Sequence, residues 1–382
     1  MAQATFSFDA STPMPGAAGS AAAVAPAHRA DIASAGRSGG GFEIGWDFAH
    51  YRLTPPVAHL HADNPVRQGW SAARAVFGTR TLRPTRWARQ WLQLRLQAWQ
   101  HGQAFEGVQV TPHFLAQLQS AECPVTRQPL PAQPIDRAED EGAGRIVRLN
   151  PRAAWAAGNL VMVSAAVAQA QGEAGWAEAL ANARRIEAGE CAQINGLGAA
   201  AWARLACLAS LCTPLDHATA ATLPLLVLPP NRLRVINPVQ ALQVMLTLQF
   251  CEAGYARRLV SLAVLMPSTE ARHAFQVFMH TLLARRLAAG PVLDAAAARE
   301  AMEAAWADAL VQRRWQRLAQ RLTAADAEQL LQRAARRGLM GSGQQWRDVA
   351  SATEGWALER AGQAPTLASS EGVVSANGLL SH

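Results

Sequence analysis

Groups able to do chemistry are present in this chain, but few stand at the spacings that chemistry requires. His59-Leu-His61, followed by Asp63, puts two imidazoles on one side of an extended segment. Two ligands beside the Pro55-Pro56 loop read as surface residues rather than a metal site. His273 and His280 stand seven residues apart; at ~1.5 Å per residue a helix separates them by roughly 10 Å, too far to share one ion. The five cysteines, Cys123, Cys191, Cys207, Cys212 and Cys251, form no CxxC pair. An odd, scattered set in a chain of this size points to reduced thiols and a cytoplasmic location. Cys207, Cys212 and His217 match neither zinc-finger nor redox spacing, and the two thiols read as buried. No glycine-rich phosphate loop or serine-centred elbow occurs.

Two stretches say more. RPTRWARQWLQLRLQAWQ, residues 83–100, interleaves Arg86 and Arg89 with aromatics, a composition that meets nucleic acid or an anionic membrane surface. Trp87 and Trp91 share one face at helical spacing, however, which is the mark of a core-facing helix. The second stretch is RIVRLNPRAAWAAGNLVMVSAAVAQAQG, residues 145–172. It reads as a β-hairpin with an Asn150-Pro151 turn, running into a helix that opens near Asn159 and closes at Gly172. A further set, Arg313, Arg314, Arg317, Arg321, Arg333, Arg336 and Arg337, reads as a solvated helix face.

The elements that must position these groups are mostly helical. Thr85 and Thr111-Pro112 signal helix starts, as do Asn237-Pro238 and Asp294. The helix opened by Pro238 is apolar nearly all round, with Gln240, Gln243 and Thr247 as a narrow polar stripe, so it belongs in a domain centre. One helix is expected over 295–322 and another over 324–337, ended by Gly338. No alternating strand pattern follows residue 172.

Composition bounds the rest. The chain has 382 residues, half of them hydrophobic, enough for two or three domains. Net charge is +7, and all 35 basic residues are arginine. Arginine forks onto phosphate, yet a charge of +7 over 382 residues is mild. The N-terminus lacks a secretory pattern, and the most apolar runs are too short to span a bilayer, so membrane insertion is not expected. Residues 1–42 and 341–382 are rich in small residues and are expected to be largely disordered, although Trp346 and Trp356 offer points of docking in the tail.

Cys123-Pro-Val-Thr126, VRLN (147–150), GNLVMVS (158–164) and AQAQG (168–172) together resemble the HNH endonuclease family, whose ββα-metal core is a hairpin followed by a helix. The resemblance covers residues 123–172. It implies a metal-binding carboxylate on the hairpin, where this chain has Val147. It implies a general base at Arg148, a positioning asparagine at Asn159, and a last metal ligand at the place of Ala168. The structural zinc of some members would use the positions of Cys123, Thr126, Ser164 and Val167. Valine and alanine cannot ligate Mg²⁺, and one thiolate cannot hold zinc, so neither cofactor is expected.

The expectation is therefore a mainly α, multi-helical protein with a small embedded HNH-like ββα element. Its parts are an N-terminal helical segment over 43–122, the element over 123–172, and an all-helical domain over 173–340. The function implied is a catalytically inactive, DNA-associated binding role, with Arg148, Arg145, Arg86 and Arg89 as candidate phosphate contacts. An all-helical protein-interaction scaffold without nucleic-acid binding is the alternative. A second alternative is an active nuclease drawing its metal ligands from Asp136, Glu139, Asp140 or Glu141, which read by themselves as a solvated acidic loop.

Overall fold

Capping side chains place most of the helices. Thr85, Thr111 and Asp294 each accept the backbone N–H three residues on, opening α3 (Arg86–Gln100), α4 (Pro112–Gln117) and α12 (Ala295–Ala305). The computed structural model describes residues 40–131, 144–290, 294–341 and 344–345. Asp136, Glu139, Asp140, Glu141, Trp346 and Trp356 lie outside the described residues, as does most of the segment expected to be disordered at each end. Residues 40–42 already belong to α1, a helix over 40–50.

The described chain is mainly helical, as expected, with one two-stranded antiparallel sheet. After α1 comes α2 (Pro65–Phe77), then α3 and α4. The strands are β1 (Arg145–Arg148) and β2 (Leu160–Val163). Their register pairs Arg145 with Val163, Val147 with Val161 and Arg148 with Leu160. The remaining helices are α5 (Ala165–Gln171), α6 (Trp176–Glu187), α7 (Ala199–Leu211), α8 (His217–Thr222), α9 (Pro238–Gln249), α10 (Tyr255–Val264), α11 (Thr269–Ala288), α12, α13 (Ala309–Ala319) and α14 (Ala324–Arg336).

Helix α9 sits where its pattern predicts, buried on every side. Its polar stripe is satisfied internally, as buried polar groups must be. Gln240 donates to the Ser210 hydroxyl at 3.0 Å, and Gln243 donates to the Leu223 carbonyl at 3.1 Å. The Thr247 hydroxyl receives the Trp306 indole N–H at 3.1 Å. Trp306, Trp315 and Phe278 pack ring to ring beside it, with centroids 5.4–5.8 Å apart.

Two expected elements are corrected. The helix over 295–322 is two helices, because the Asp308 carboxylate accepts the N–H groups of Leu310 and Val311 and so caps a new start at α13. The helix opening at Asn159 is displaced as well: Leu160–Val163 form β2, and α5 begins at Ala165 with Ser164 as its cap. All four residues of β2 are buried. A short apolar run buried on both faces carries no period that separates strand from helix, and only pairing with β1 decides. One apolar cluster runs from Ile44 to Ala334, so the three expected parts share a common core.

Candidate functional site

The ββα element is built from β1, β2, α5 and the turn at Cys123–Thr126. Residues 149–159 join the strands, and their conformation is dictated by two asparagines. The Asn150 N–H donates to Asn159 Oδ1 at 2.8 Å, while Asn159 Nδ2 donates to the carbonyls of Asn150 at 3.0 Å and Ala154 at 3.1 Å. Asn159 is wholly buried. It is a brace across the loop and not the helix cap that its place after Gly158 suggests.

This loop is enclosed from both sides. Trp155 forms a bridge with Phe105, and its indole donates to Gln103 at 2.8 Å. The fully buried Glu106 carboxylate receives the Ala157 N–H at 3.3 Å and the Gln109 N–H at 2.5 Å. From the C-terminal part, the Arg234 N–H and the Cys212 thiol both reach the Gly158 carbonyl, at 3.0 and 3.3 Å. Gly158 has φ 94°, and a Cβ there would lie 2.6 Å from the Cβ of Arg234. Only glycine tolerates both the conformation and the approach. Ala153, Ala154 and Ala156 close a small apolar cluster with Ala104 and Ile236. The alanines of this stretch are what lets foreign backbone come so near.

Arg148 is drawn into this interior. It is 7% exposed, donates to the Ala153 carbonyl at 2.9 Å, lies 5.0 Å from the Trp155 ring centroid, and has Glu173 at 3.8 Å. Burial lowers its pKa, with Glu173 pulling the other way. A guanidinium held in this way braces the loop; it offers no open fork to a phosphate. Arg145 and Arg89 are exposed. Arg86 lies 4.3 Å from the Trp87 ring centroid and donates to Gln119 at 2.6 Å. On the same helix Trp91 is buried, with its indole donating to the Val110 carbonyl.

The positions where the family would hold a catalytic metal carry no ligand atoms. Val147 and Ala168 are half-buried and packed against the core. Nearby, Gln171 donates to the Arg148 carbonyl at 2.8 Å, and its buried Oε1 is without a hydrogen-bond partner. One amide oxygen is far short of the six or more ligands a hard cation takes. Among the described residues no group of three or more His, Cys, Asp or Glu is placed to hold a metal.

The four positions that the resemblance links to structural zinc do meet in space. Cys123 is fully buried, and its sulfur accepts the Ser164 N–H at 3.4 Å. The Ser164 hydroxyl in turn accepts the Val167 N–H at 3.4 Å. Burial pushes the Cys123 thiol up, but hydrogen bonds with the Thr126 side chain and with the N–H groups of Thr126, Ser164 and Val125 outweigh it, so the pKa is lowered overall. One sulfur and two hydroxyls do not make a zinc site. Hydrogen bonds tie the turn to the start of α5 instead.

The other candidates separate. His59 is 7% exposed and hydrogen-bonds Gln100 at 2.7 Å, whereas His61 is exposed, so they form no ligand pair. Cys207 and Cys212 are buried thiols, as expected. Sequence reasoning missed Glu106, Arg234 and Glu303. Glu303 is 6% exposed on α12, pairs with Arg127 and accepts the Leu228 N–H at 2.7 Å, so it fastens the Cys123 turn to the helical region. Arg127 holds a left-handed φ of 63° in doing so. A lone glutamate gives no signal of burial in the sequence, since its partner stands far away in the chain.

Geometrically this is a mainly helical protein with one two-stranded ββα element whose connecting loop is enclosed. No family model matches the chain, and neither a curated protein nor a solved structure matches it. No helix among the described residues is long and apolar enough to cross a membrane.

Proposed function

We propose that this chain is a DNA-associated binding protein whose HNH-like ββα element has given up metal chemistry and serves as structure. The observation that carries the reading is the meeting of Cys123, Thr126, Ser164 and Val167 beside a hairpin whose ligand positions are Val147 and Ala168. The positions that the resemblance links to structural zinc lie together but carry one thiol and two hydroxyls, which supports a structural role for the element. The burial of Arg148, at the family's base position, supports loss of catalysis, because its guanidinium is committed to the Ala153 carbonyl and the Trp155 ring. DNA contact then falls to exposed arginines, with Arg145 and Arg89 as examples. The test is a titration of the full chain with a labelled duplex over a salt series. Affinity that falls steeply as salt rises is the expected result, since neutralised phosphates release counterions. Absence of binding even at low salt removes the reading.

A second reading has its own observation. Val260 and Val264 stand one turn apart on α10, 69% and 63% exposed. Such a patch suits a protein partner and favours an interaction scaffold. If the scaffold reading holds, the chain binds no duplex even at low salt, and replacing both valines with serine abolishes partner capture.

A further inference from the structure

Helices α11 and α13 pack against each other through Phe278 and Trp315. Their outer faces leave a groove made of two adjoining hollows of about 420 and 550 Å³, which share Val277 and Arg314 in their linings. One hollow is lined by Arg314, Arg317 and Arg321, with Glu270 at its far end; the other reaches Arg285. From Glu270 to Arg285 the groove follows α11 for about 22 Å at ~1.5 Å per residue.

The charges along it are unevenly committed. Arg285 is paired with Asp308, and Arg321 donates to the Arg317 carbonyl while facing Glu270 electrostatically. Among the described residues, Arg314 and Arg317 make no ion pair and no side-chain hydrogen bond. Four arginines line the groove against one carboxylate, Glu270, so a line of positive charge runs over a floor of Val277, Ala274 and Ala284. Arg314, Arg317 and Arg321 span about 10 Å of helix axis. A strand of B-DNA presents a phosphate roughly every 3.4 Å, so a linear polyanion meets all three where a small anion meets one. The rings lining the groove are the imidazoles of His273 and His280, with no Phe, Tyr or Trp among the lining residues, a poorer stacking platform than single strands use.

From this we infer that the α11–α13 groove binds the phosphate backbone of duplex nucleic acid, without reading its sequence. The inference rests on the DNA-associated reading above and moves the contact surface from the hairpin to the C-terminal helices.

The test uses fluorescence anisotropy with the full chain and a labelled 20-base-pair duplex of arbitrary sequence, from 50 to 200 mM NaCl. The variant Arg314→Gln/Arg317→Gln/Arg321→Gln removes the groove charge. Arg333→Gln/Arg336→Gln/Arg337→Gln removes the same charge from the exposed face of α14 and its end. The groove variant is expected to lose at least tenfold in affinity at 50 mM, and its salt slope to flatten by about 2.7, near 0.9 for each phosphate contact. The α14 variant is expected to stay close to wild type. Should the triple variant lose its helical signal, Arg317→Gln alone, at an exposed position, is expected to flatten the slope by about 0.9. Equal losses in the two triple variants, or a groove variant that binds as wild type does, overturn the groove and leave the DNA-associated reading standing. No wild-type binding overturns both. Binding of poly-glutamate in place of DNA assigns the groove to an acidic peptide and also overturns the inference.

Discussion

Asn159 and Asn150 hold each other across the hairpin loop, the Asn150 N–H on Asn159 Oδ1 at 2.8 Å and Asn159 Nδ2 on the Asn150 carbonyl at 3.0 Å. With the further bond to Ala154, one side chain pairs three backbone groups that are shut off from water. Those bonds fix the shape of a loop that has no regular secondary structure.

Replacing Asn159 is expected to be costly for that reason. Asn159→Ala orphans one buried N–H and two carbonyls, each worth about 1–3 kcal/mol when left unpaired. A loss of about 3 kcal/mol or more in urea denaturation is expected. Asn159→Asp keeps the shape but turns an acceptor toward two carbonyls, and is expected to lose at least as much. A loss below about 1 kcal/mol in both would show that the loop is held from elsewhere.

Arg148 is expected to act on stability and not on DNA. Arg148→Ala empties a buried place beside Trp155 and leaves the Ala153 carbonyl unpaired. A destabilisation of about 2–4 kcal/mol is expected, in the range for a broken buried network. The salt slope of DNA binding should stay at the wild-type value. A slope flattened by about 0.9, with unchanged melting, would restore Arg148 as a phosphate contact.

Metal removal is expected to change nothing. The purified chain should carry no stoichiometric zinc by elemental analysis, and EDTA should leave its thermal midpoint in place. No cleavage of DNA is expected with Mg²⁺ or Mn²⁺, given Val147 and Ala168. Cleavage that disappears when Asp136, Glu139, Asp140 or Glu141 is mutated would establish an active nuclease.

Alkaline pH is expected to destabilise the fold through its thiols. Burial pushes Cys207 and Cys251 up to about 11 and Cys212 to about 12, from an ordinary 9.0. Above pH 9 the unfolded thiols lose protons that the folded ones keep, so the unfolded state is favoured as pH rises. Stability due to these groups is complete below 9.0 and drains away toward 11–12. Melting midpoints at pH 8 and 10.5 check this, and Cys212→Ala should shrink the difference. The same burial leaves Cys207 and Cys212 unmodified by iodoacetamide at pH 8 in the native protein.

The sequence by itself determined the helical class, because caps and apolar periodicity act over a few residues. Thr85, Thr111 and Asp294 cap their helices as local chemistry dictates, and the polar stripe of α9 announced a buried helix whose amides must be paired. A turn after β1 was legible from Asn150-Pro151, though not the place of the second strand, and so was the burial of Cys207 and Cys212. Only the tertiary structure decided what depends on distant partners. Leu160–Val163 became a strand because β1 lay ready to pair with it, which moved the helix start from Asn159 to Ala165. Arg148 left the surface because Trp155 and Ala153 folded over it. Glu106 and Glu303 went inside because N–H groups of Ala157, Gln109 and Leu228, and the Arg127 guanidinium, were there to receive them. A carboxylate or guanidinium enters a core only where partners offset its lost hydration, and those partners come from elements far apart in the chain.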